Sequence, residues 1–236
     1  VVLAARAAGE ASPLTLDAAL DRAAARAPAQ VLDATRGLPY LGVAEPRHQG
    51  LAPREAARLE TMARFFDAIL ADLDEAALSQ RMAIAFVAFN RLRERSPGEA
   101  PTLEAERAYQ ELLSRRDAAR ERQRLARAAL AAALGSQPPA DVIDPELPAM
   151  EAPPGLQERR SRAAARNAQA ERSLDEARAN QAAGRPADIY GAVAAGVEAH
   201  REARAVEFAI ALTRARRAAR ADSGASRGRV GKQPAP

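Results

Sequence analysis

The side chains that could carry chemistry in this chain are few and far apart. The sequence contains two histidines, His48 and His200, and no cysteine. Glu198 and Glu202 flank His200, but residues two positions away on a helix do not share its face, so the three cannot converge on a metal ion. Serine, aspartate and histidine are also too scattered to form a nucleophilic triad. The sequence therefore predicts no catalytic residue, no cofactor and no metal site, and we expect a protein that is not an enzyme.

The distribution of basic residues argues against nucleic-acid binding. Seven of the 35 lysines and arginines lie after residue 213, where only Asp222 opposes them. No basic stripe with interleaved aromatic residues occurs, although a nucleic-acid interface typically has one. Residues 224–228 contain two glycines but follow no strand, so they do not form a phosphate loop. We expect the basic tail to be solvated or to touch anionic lipid.

The composition indicates that long helices position these side chains. The chain has 63 alanines but only 43 Leu, Ile, Val and Phe residues together. Alanine adds little buried apolar area, yet it is the best helix former, and Arg, Glu, Gln and Leu follow it closely. A β-sandwich, a Rossmann domain and a disulfide scaffold are excluded. The composition predicts an all-α fold of long antiparallel helical hairpins, with little or no β-strand.

A seam of large residues predicts the first hairpin, over residues 54–134. In its first arm, apolar residues recur at alternating spacings of three and four, which is typical of a coiled-coil seam. The seam residues are Leu59, Met62, Phe66, Ile69, Leu73, Met82, Phe86 and Phe89. Proline and glycine predict a turn at 96–102, and a second long helix then runs from Leu103 to Leu134.

This hairpin belongs to a predicted first helical repeat, residues 12–135. The repeat opens with a short helix from Leu14 to Gln30, for which Thr15 is the predicted N-cap. Residues 31–50 are rich in glycine and proline and predict a loop. Only residues 38–43 within this loop leave room for a weak strand.

The remainder of the chain predicts a linker, a second repeat and two terminal segments. Residues 136–155 are Pro-rich and predict a linker, because proline at this density prevents a helix. A second helical repeat follows over 156–222, with its turn at 184–188. Residues 223–236 predict a disordered basic tail. Residues 1–11 resemble either the remnant of a signal peptide or an ordinary Ala-rich helix start.

The two hairpins align with each other at an offset of 86 residues. Gly98 aligns with Gly184, and each can take the left-handed conformation that ends a helix. Thr102 and Asp188 stand at equivalent positions after these glycines, and both are good N-cap residues. The sequence therefore predicts a duplicated helical hairpin with one turn design.

Several segments of this chain resemble the TolC-like outer-membrane efflux protein family. Residues 14–23 resemble the family's opening phrase, and residues 64–73 resemble its first long helix. The helix end at 130–135 and the segment 141–148 resemble the connector between its halves. Residues 184–189 resemble its second periplasmic turn.

This resemblance implies a function as well as a fold. In that family three protomers form a tube of long helices, whose hairpin turns meet a periplasmic adaptor and an inner-membrane pump. It implies that the turns of this chain dock the adaptor, although they are equally explained as simple capped turns. The residues concerned are Pro97, Gly98, Thr102, Leu103, Gly184, Arg185, Pro186, Asp188 and Ile189.

We therefore expect an outer-membrane channel subunit of a tripartite efflux or type I secretion system. It would enclose an export conduit as a homo-oligomer, a trimer by the resemblance, in the envelope of a Gram-negative bacterium. The alternative is a soluble or periplasmic coiled-coil scaffold that binds partner helices.

Overall fold

The computed structural model describes residues 13–184 and 188–230, with side chains up to residue 222. These residues form six α-helices: α1 (Leu16–Ala24), α2 (Pro28–Thr35), α3 (Pro53–Arg95), α4 (Ala100–Leu134), α5 (Pro154–Ala182) and α6 (Ile189–Val230). None of the described residues forms a strand, and extended backbone pairs only at an isolated parallel bridge between Leu14 and Val142. The predicted all-α fold is confirmed.

The four long helices lie side by side in the order α4–α3–α6–α5. α3 and α4 form the first hairpin, and α5 and α6 form the second. α3 packs against α6 and so joins the hairpins. In the described part of the chain, the outer helices α4 and α5 make no contact with each other. The helical hairpins that the sequence predicts are therefore present, and they form an open layer of helices.

Alanines at every seventh position line the packed faces of the outer helices. The buried residues that follow this repeat are Ala119, Ala126 and Ala133 on α4 and Ala163, Ala170 and Ala177 on α5. A seven-residue repeat keeps one helix face against its neighbour, and methyl side chains allow a short distance between helix axes. The alanine-rich arms therefore pack without many large side chains.

The large side chains are concentrated where α3 crosses α6. The ring of Phe66 stacks on the ring of Phe208, with centroids 4.1 Å apart and planes inclined by 4°. Phe65 lies edge-on to Phe66. Leu59, Leu70 and other buried residues of α1, α3 and α4 complete one core cluster around this stack. We call this end of the layer the base.

The segment between the hairpins, residues 136–153, lies across the base as a strap. The Leu14 N–H donates to the Asp141 carbonyl oxygen at 3.0 Å, and the Ile143 N–H donates to the Leu14 carbonyl oxygen at 2.9 Å. The Arg204 guanidinium of α6 donates to the Pro145 carbonyl oxygen at 2.7 Å. The predicted linker therefore belongs to the core that both hairpins share.

The predicted helix from Leu14 to Gln30 is wrong in extent. Thr15 does cap α1, because its hydroxyl oxygen accepts the Ala18 N–H at 3.2 Å. However, α1 ends at Ala24, and Pro28 begins the separate helix α2. Proline lacks the N–H that a helix interior needs but suits a first turn, so it starts a second helix here.

The predicted tail also differs from the structure. α6 continues to Val230, so its backbone includes the first eight residues of segment 223–236. Alanine and arginine, which are frequent after residue 213, favour helix over coil. Residues 231–236 and the predicted signal remnant at 1–11 lie outside the described residues. Residues 38–43 form no strand.

We expect Phe208→Ala to lower the free energy of unfolding by about 3–5 kcal/mol, because it removes half of the stack that joins the hairpins. Phe86→Ala is the matched control. Its ring is 43% exposed, so its loss should cost only about 1 kcal/mol. Urea denaturation followed by circular dichroism measures both. Equal losses of unfolding free energy in Phe208→Ala and Phe86→Ala would contradict the central role of the stack.

Candidate interaction surfaces

The tip of the first hairpin places part of the predicted docking set together. Pro97 and Gly98 lie in the short turn between α3 and α4, and Gly98 has the predicted left-handed conformation, with φ at +78°. Leu103 lies in the first turns of α4 and is 54% exposed. The tip therefore offers one large apolar side chain to solvent.

Thr102 does not cap α4, and this part of the prediction is wrong. The helix begins at Ala100, because Pro101 fits its first turn. Thr102 therefore lies inside the helix, where its side chain is buried and its hydroxyl donates to the Ser96 carbonyl oxygen at 2.7 Å. It fastens the turn and is not available to a partner.

The tip of the second hairpin follows its prediction more closely. Gly184 has φ at +68°. The Asp188 carboxylate accepts the Gly191 N–H at 2.8 Å, so it caps α6 as predicted. Ile189 is half-buried, and the neighbouring Tyr190 is 71% exposed. Arg185 and Pro186 lie outside the described residues.

The two tips extend from the base in the same direction but end at different heights. Phe66 and Phe208 are level with each other because their rings stack. From that level α3 runs to Arg95, whereas α6 reaches back only to Ile189. The first tip therefore projects about 15 Å further, at 1.5 Å per residue.

The predicted seam divides into a buried half and a more exposed half. Leu59, Phe66 and Ile69 are buried in the base, and Met62 and Leu73 pack against the same cluster. This lower half is covered by several elements and is not a two-helix seam. The structure therefore places it in a core.

In the upper half of the seam, two aromatic side chains contact Tyr109 of α4. Phe89 stacks on Tyr109 with centroids 6.1 Å apart, and the ring of Phe86 lies 5.3 Å from that of Tyr109. Met82 is half-buried. Phe86 is partly exposed, although a seam position is usually buried, because α4 is the long neighbour of α3 at the level of this residue.

Charged pairs connect the layer above the base. Asp74 of α3 pairs with Arg201 of α6 at 2.8 Å, and Arg81 of α3 pairs with Glu198. On the other side of α3, Asp72 pairs with Arg127 of α4 at 2.9 Å. Such half-exposed pairs contribute about 0–1 kcal/mol each, so they set register more than stability.

Three buried charges on α3, which we call the charge clamp, are the most chemically distinctive group in the structure. They are Glu60, Arg64 and Asp67. Their spacing of four and three residues places them on one helix face. The Arg64 Nε donates to the Glu60 carboxylate at 2.8 Å. The apolar spacing of residues 59–73 gives no sign of this group, because its partners in the loop are distant along the chain.

The charge clamp holds the loop that precedes α3. Arg64 donates to the carbonyl oxygens of Pro39 at 2.7 Å and Leu38 at 2.8 Å, and its guanidinium lies 3.8 Å from the Tyr40 ring centroid. The Glu60 carboxylate accepts the Tyr40 hydroxyl and, at 2.9 Å, lies beside the His48 Nε2.

Asp67 fastens the same loop through backbone groups. Its carboxylate accepts the N–H groups of Leu41 at 2.9 Å and Val43 at 3.1 Å, and also that of Gly42. Gly42 is required by this close approach. A Cβ added there would lie 2.9 Å from the Leu70 Cβ and 3.2 Å from the Asp67 Oδ1. The loop can therefore reach α3 only because residue 42 has no side chain.

The pKa shifts within the clamp have separable causes. Burial alone raises the pKa of Glu60, but hydrogen bonds from His48, Tyr40 and Arg64 outweigh it and bring that pKa to about 2. Burial raises the pKa of Asp67 despite its backbone donors. Burial and the Glu60 carboxylate raise the pKa of the Tyr40 hydroxyl above its ordinary value.

The clamp is a structural device, because its main groups already have protein partners. Arg64 donates to the Glu60 carboxylate and to two backbone carbonyl oxygens, and Asp67 accepts backbone N–H groups. Within the described ranges, no three His, Asp or Glu side chains converge as metal ligands. The His200 Nε2 lies 3.5 Å from an Asp144 carboxylate oxygen of the strap.

No protein family, curated protein or solved structure matches this chain. Over the described ranges, no helix combines the length and the apolar character that crossing a lipid bilayer requires.

We expect Gly42→Ala to destabilise the protein by about 1–3 kcal/mol, because the new methyl group must displace Leu70 or Asp67. Gly196→Ala is the control. No atom lies within 4 Å of a Cβ there, so alanine in the α6 interior should stabilise by up to ~1 kcal/mol. Thermal and urea denaturation measure the stability of both variants. If both substitutions stabilised or both destabilised the protein, the close approach of the loop to α3 at Gly42 would be refuted.

The Glu60 carboxylate should make stability depend on pH. Its folded-state pKa of about 2 lies below the ordinary value of 4.5, so the unfolded chain binds the proton first. The stabilisation is complete above pH 4.5 and is lost as the pH falls to about 2. Between those limits the stability difference between wild type and Glu60→Gln should shrink by about 3 kcal/mol.

Urea titrations at a series of pH values measure this difference. Glu158→Gln is the control, because that side chain is 76% exposed and should show almost no such change. The raised pKa of Asp67 makes stability change with pH in the opposite direction. Because this contribution is present in both wild type and Glu60→Gln, it does not alter the difference between them. If the difference in unfolding free energy between wild type and Glu60→Gln did not change with pH, the hydrogen bonds to the ionised Glu60 carboxylate would be disproved.

Proposed function

We propose that this chain is one subunit of a homo-oligomeric outer-membrane channel for tripartite efflux or type I secretion. Each copy contributes its helical layer to the wall of an export conduit, and no bond is made or broken during transport. The resemblance of residues 14–23, 64–73 and 184–189 to the TolC-like family supports this function and implies three copies.

The observation that carries the proposal is the open order α4–α3–α6–α5. In a helical bundle that is stable as a monomer, each long helix usually packs against at least two others around a common core. Here, among the described long helices, α4 contacts only α3 and α5 contacts only α6. Each outer helix therefore keeps one edge without a long neighbour. Pairing α4 of one copy with α5 of the next supplies that neighbour, and repetition of this contact can close a ring.

The outer edge of α4 also carries large apolar side chains. Leu103 and Leu125 are 54% and 49% exposed. They are 22 positions apart, about six helical turns, and so project in nearly the same direction. Such a stripe on an edge helix favours burial against another helix.

In this proposal the two hairpin tips meet the periplasmic adaptor and the inner-membrane pump. The first tip offers Leu103 beside the Pro97–Gly98 turn, and the second offers Tyr190 beside the Asp188 cap. Because the tips end at different heights, a partner must contact them on a stepped surface.

One observation favours the second candidate, a coiled-coil scaffold that binds partner helices. Phe86 and Val87 are exposed on α3, at a height where α4 is its only long neighbour. A partner helix could cover them without ring closure.

Cysteine cross-linking tests the pairing of α4 with α5, since the natural chain has no cysteine. Ion pairs between adjacent helices place Leu125 and the exposed Ala165 at one height on opposite edges of the layer. These pairs are Asp72–Arg127, Asp74–Arg201 and Arg166–Glu202. We expect the double variant Leu125→Cys/Ala165→Cys to form oxidised species up to three times the mass of the 25.0 kDa chain.

The single variants Leu125→Cys and Ala165→Cys are the controls and should stay monomeric in non-reducing gels, because a head-to-tail ring pairs unlike edges. A protein that is monomeric in detergent and in buffer, with no cross-linked species, would exclude the channel. An oligomer that carries no current across a planar lipid bilayer would exclude a conduit but not a scaffold.

A further inference from the structure

A groove near the C-terminal end of α6 collects arginines without matching acids. It lies between the loop at 42–47, the start of α5 and residues 201–220 of α6. We call it the arginine groove and define it by Arg47, Arg159, Arg216, Arg217 and Arg220. Glu45 is the only carboxylate among its lining residues. Its volume is about 680 Å³.

Several arginines of the layer, such as Arg81, Arg127 and Arg166, are paired with carboxylates, whereas the five arginines of the groove are not paired in the described structure. Among the described residues, no carboxylate lies within ion-pair distance of any of the five guanidinium groups. Arg201, which lines the groove further in, is instead held by Asp74. The groove therefore has a concentrated positive charge, and Glu45 is the one carboxylate in its lining.

Arg216 stands at the centre of this charge. Its Nε is buried and has no hydrogen-bond partner in the described structure. Burial, and then the neighbouring charges of Arg220 and Arg47, lower its pKa. An unmade hydrogen bond of a buried donor is costly, and a bound anion would satisfy the donor and relieve the repulsion together.

The floor of the groove is apolar. Leu59, Leu156 and Leu212 line it, together with the backbone around Val43. A free inorganic anion gains nothing from such a floor. A phospholipid has both parts that the groove matches, a phosphate for the guanidinium rim and the start of an acyl chain for the leucines.

We propose that the arginine groove binds the phosphate headgroup of an anionic membrane lipid. The phosphate oxygens accept hydrogen bonds from Arg216 and from Arg47 or Arg220, and the lipid glycerol and first methylenes lie against Leu156 and Leu212. This inference does not depend on the proposed channel function, since a scaffold could bind a membrane surface in the same way.

Vesicle co-sedimentation of the full chain tests the proposal. The vesicles contain phosphatidylcholine alone or phosphatidylcholine with phosphatidylglycerol. We expect binding only to the second kind, and at least a tenfold loss of affinity in the variant Arg47→Gln/Arg216→Gln/Arg220→Gln. The matched control, Arg91→Gln/Arg95→Gln/Arg107→Gln, removes the same charge from exposed positions near the first tip and should bind almost as wild type does.

Three outcomes would overturn the proposal. Equal losses of affinity for anionic vesicles in both triple variants would show that the protein is attracted to the membrane by net charge alone. Calorimetric binding of inorganic phosphate without vesicle binding would identify a free-phosphate site. Absence of binding to anionic vesicles by wild type would exclude a lipid site altogether. Circular dichroism of each variant separates these results from unfolding, because the five arginines form no ion pair in the described structure.

Discussion

The stack of Phe66 on Phe208 is the contact on which the rest of this structure depends. It lies where α3 crosses α6, and in the described part of the chain these two helices are the only long pair that joins the hairpins. The chain has few large apolar side chains and concentrates them around this crossing. One well-packed base therefore fixes the direction of both hairpins and the different heights of their tips.

Away from the base, the arms are held by small and polar contacts. Alanines at seven-residue intervals allow close packing, but each contributes little buried area. The pairs Asp74–Arg201 and Arg81–Glu198 keep α3 and α6 in register. Among the described long helices, α4 contacts only α3 and α5 contacts only α6, so the two outer helices keep open edges.

Charge is used in two opposite ways in this protein. In the charge clamp, Glu60, Arg64 and Asp67 are buried and each meets partners of the loop, so they replace the strand pairing that residues 38–43 do not form. In the arginine groove, Glu45 is the single carboxylate among the lining residues, and the Arg216 Nε has no hydrogen-bond partner in the described structure. The first arrangement has its partners within the chain, whereas the second leaves a buried donor without a hydrogen-bond partner in the described structure. Neither could be read from the sequence, because both join residues that are distant along the chain.

The two hairpins, their long helices and most local signals are predictable from the sequence alone. Composition and periodicity were sufficient for these, since helix propensity, the Thr15 and Asp188 caps and the left-handed Gly98 and Gly184 act over only a few residues. Three features depend on tertiary contacts. They are the choice of seam residues that form a core, the path of the strap across that core, and the pairing of charged side chains. Alanine-rich helices have nearly equivalent faces, so the choice of neighbour falls to a few large or charged side chains whose partners lie far away in the sequence.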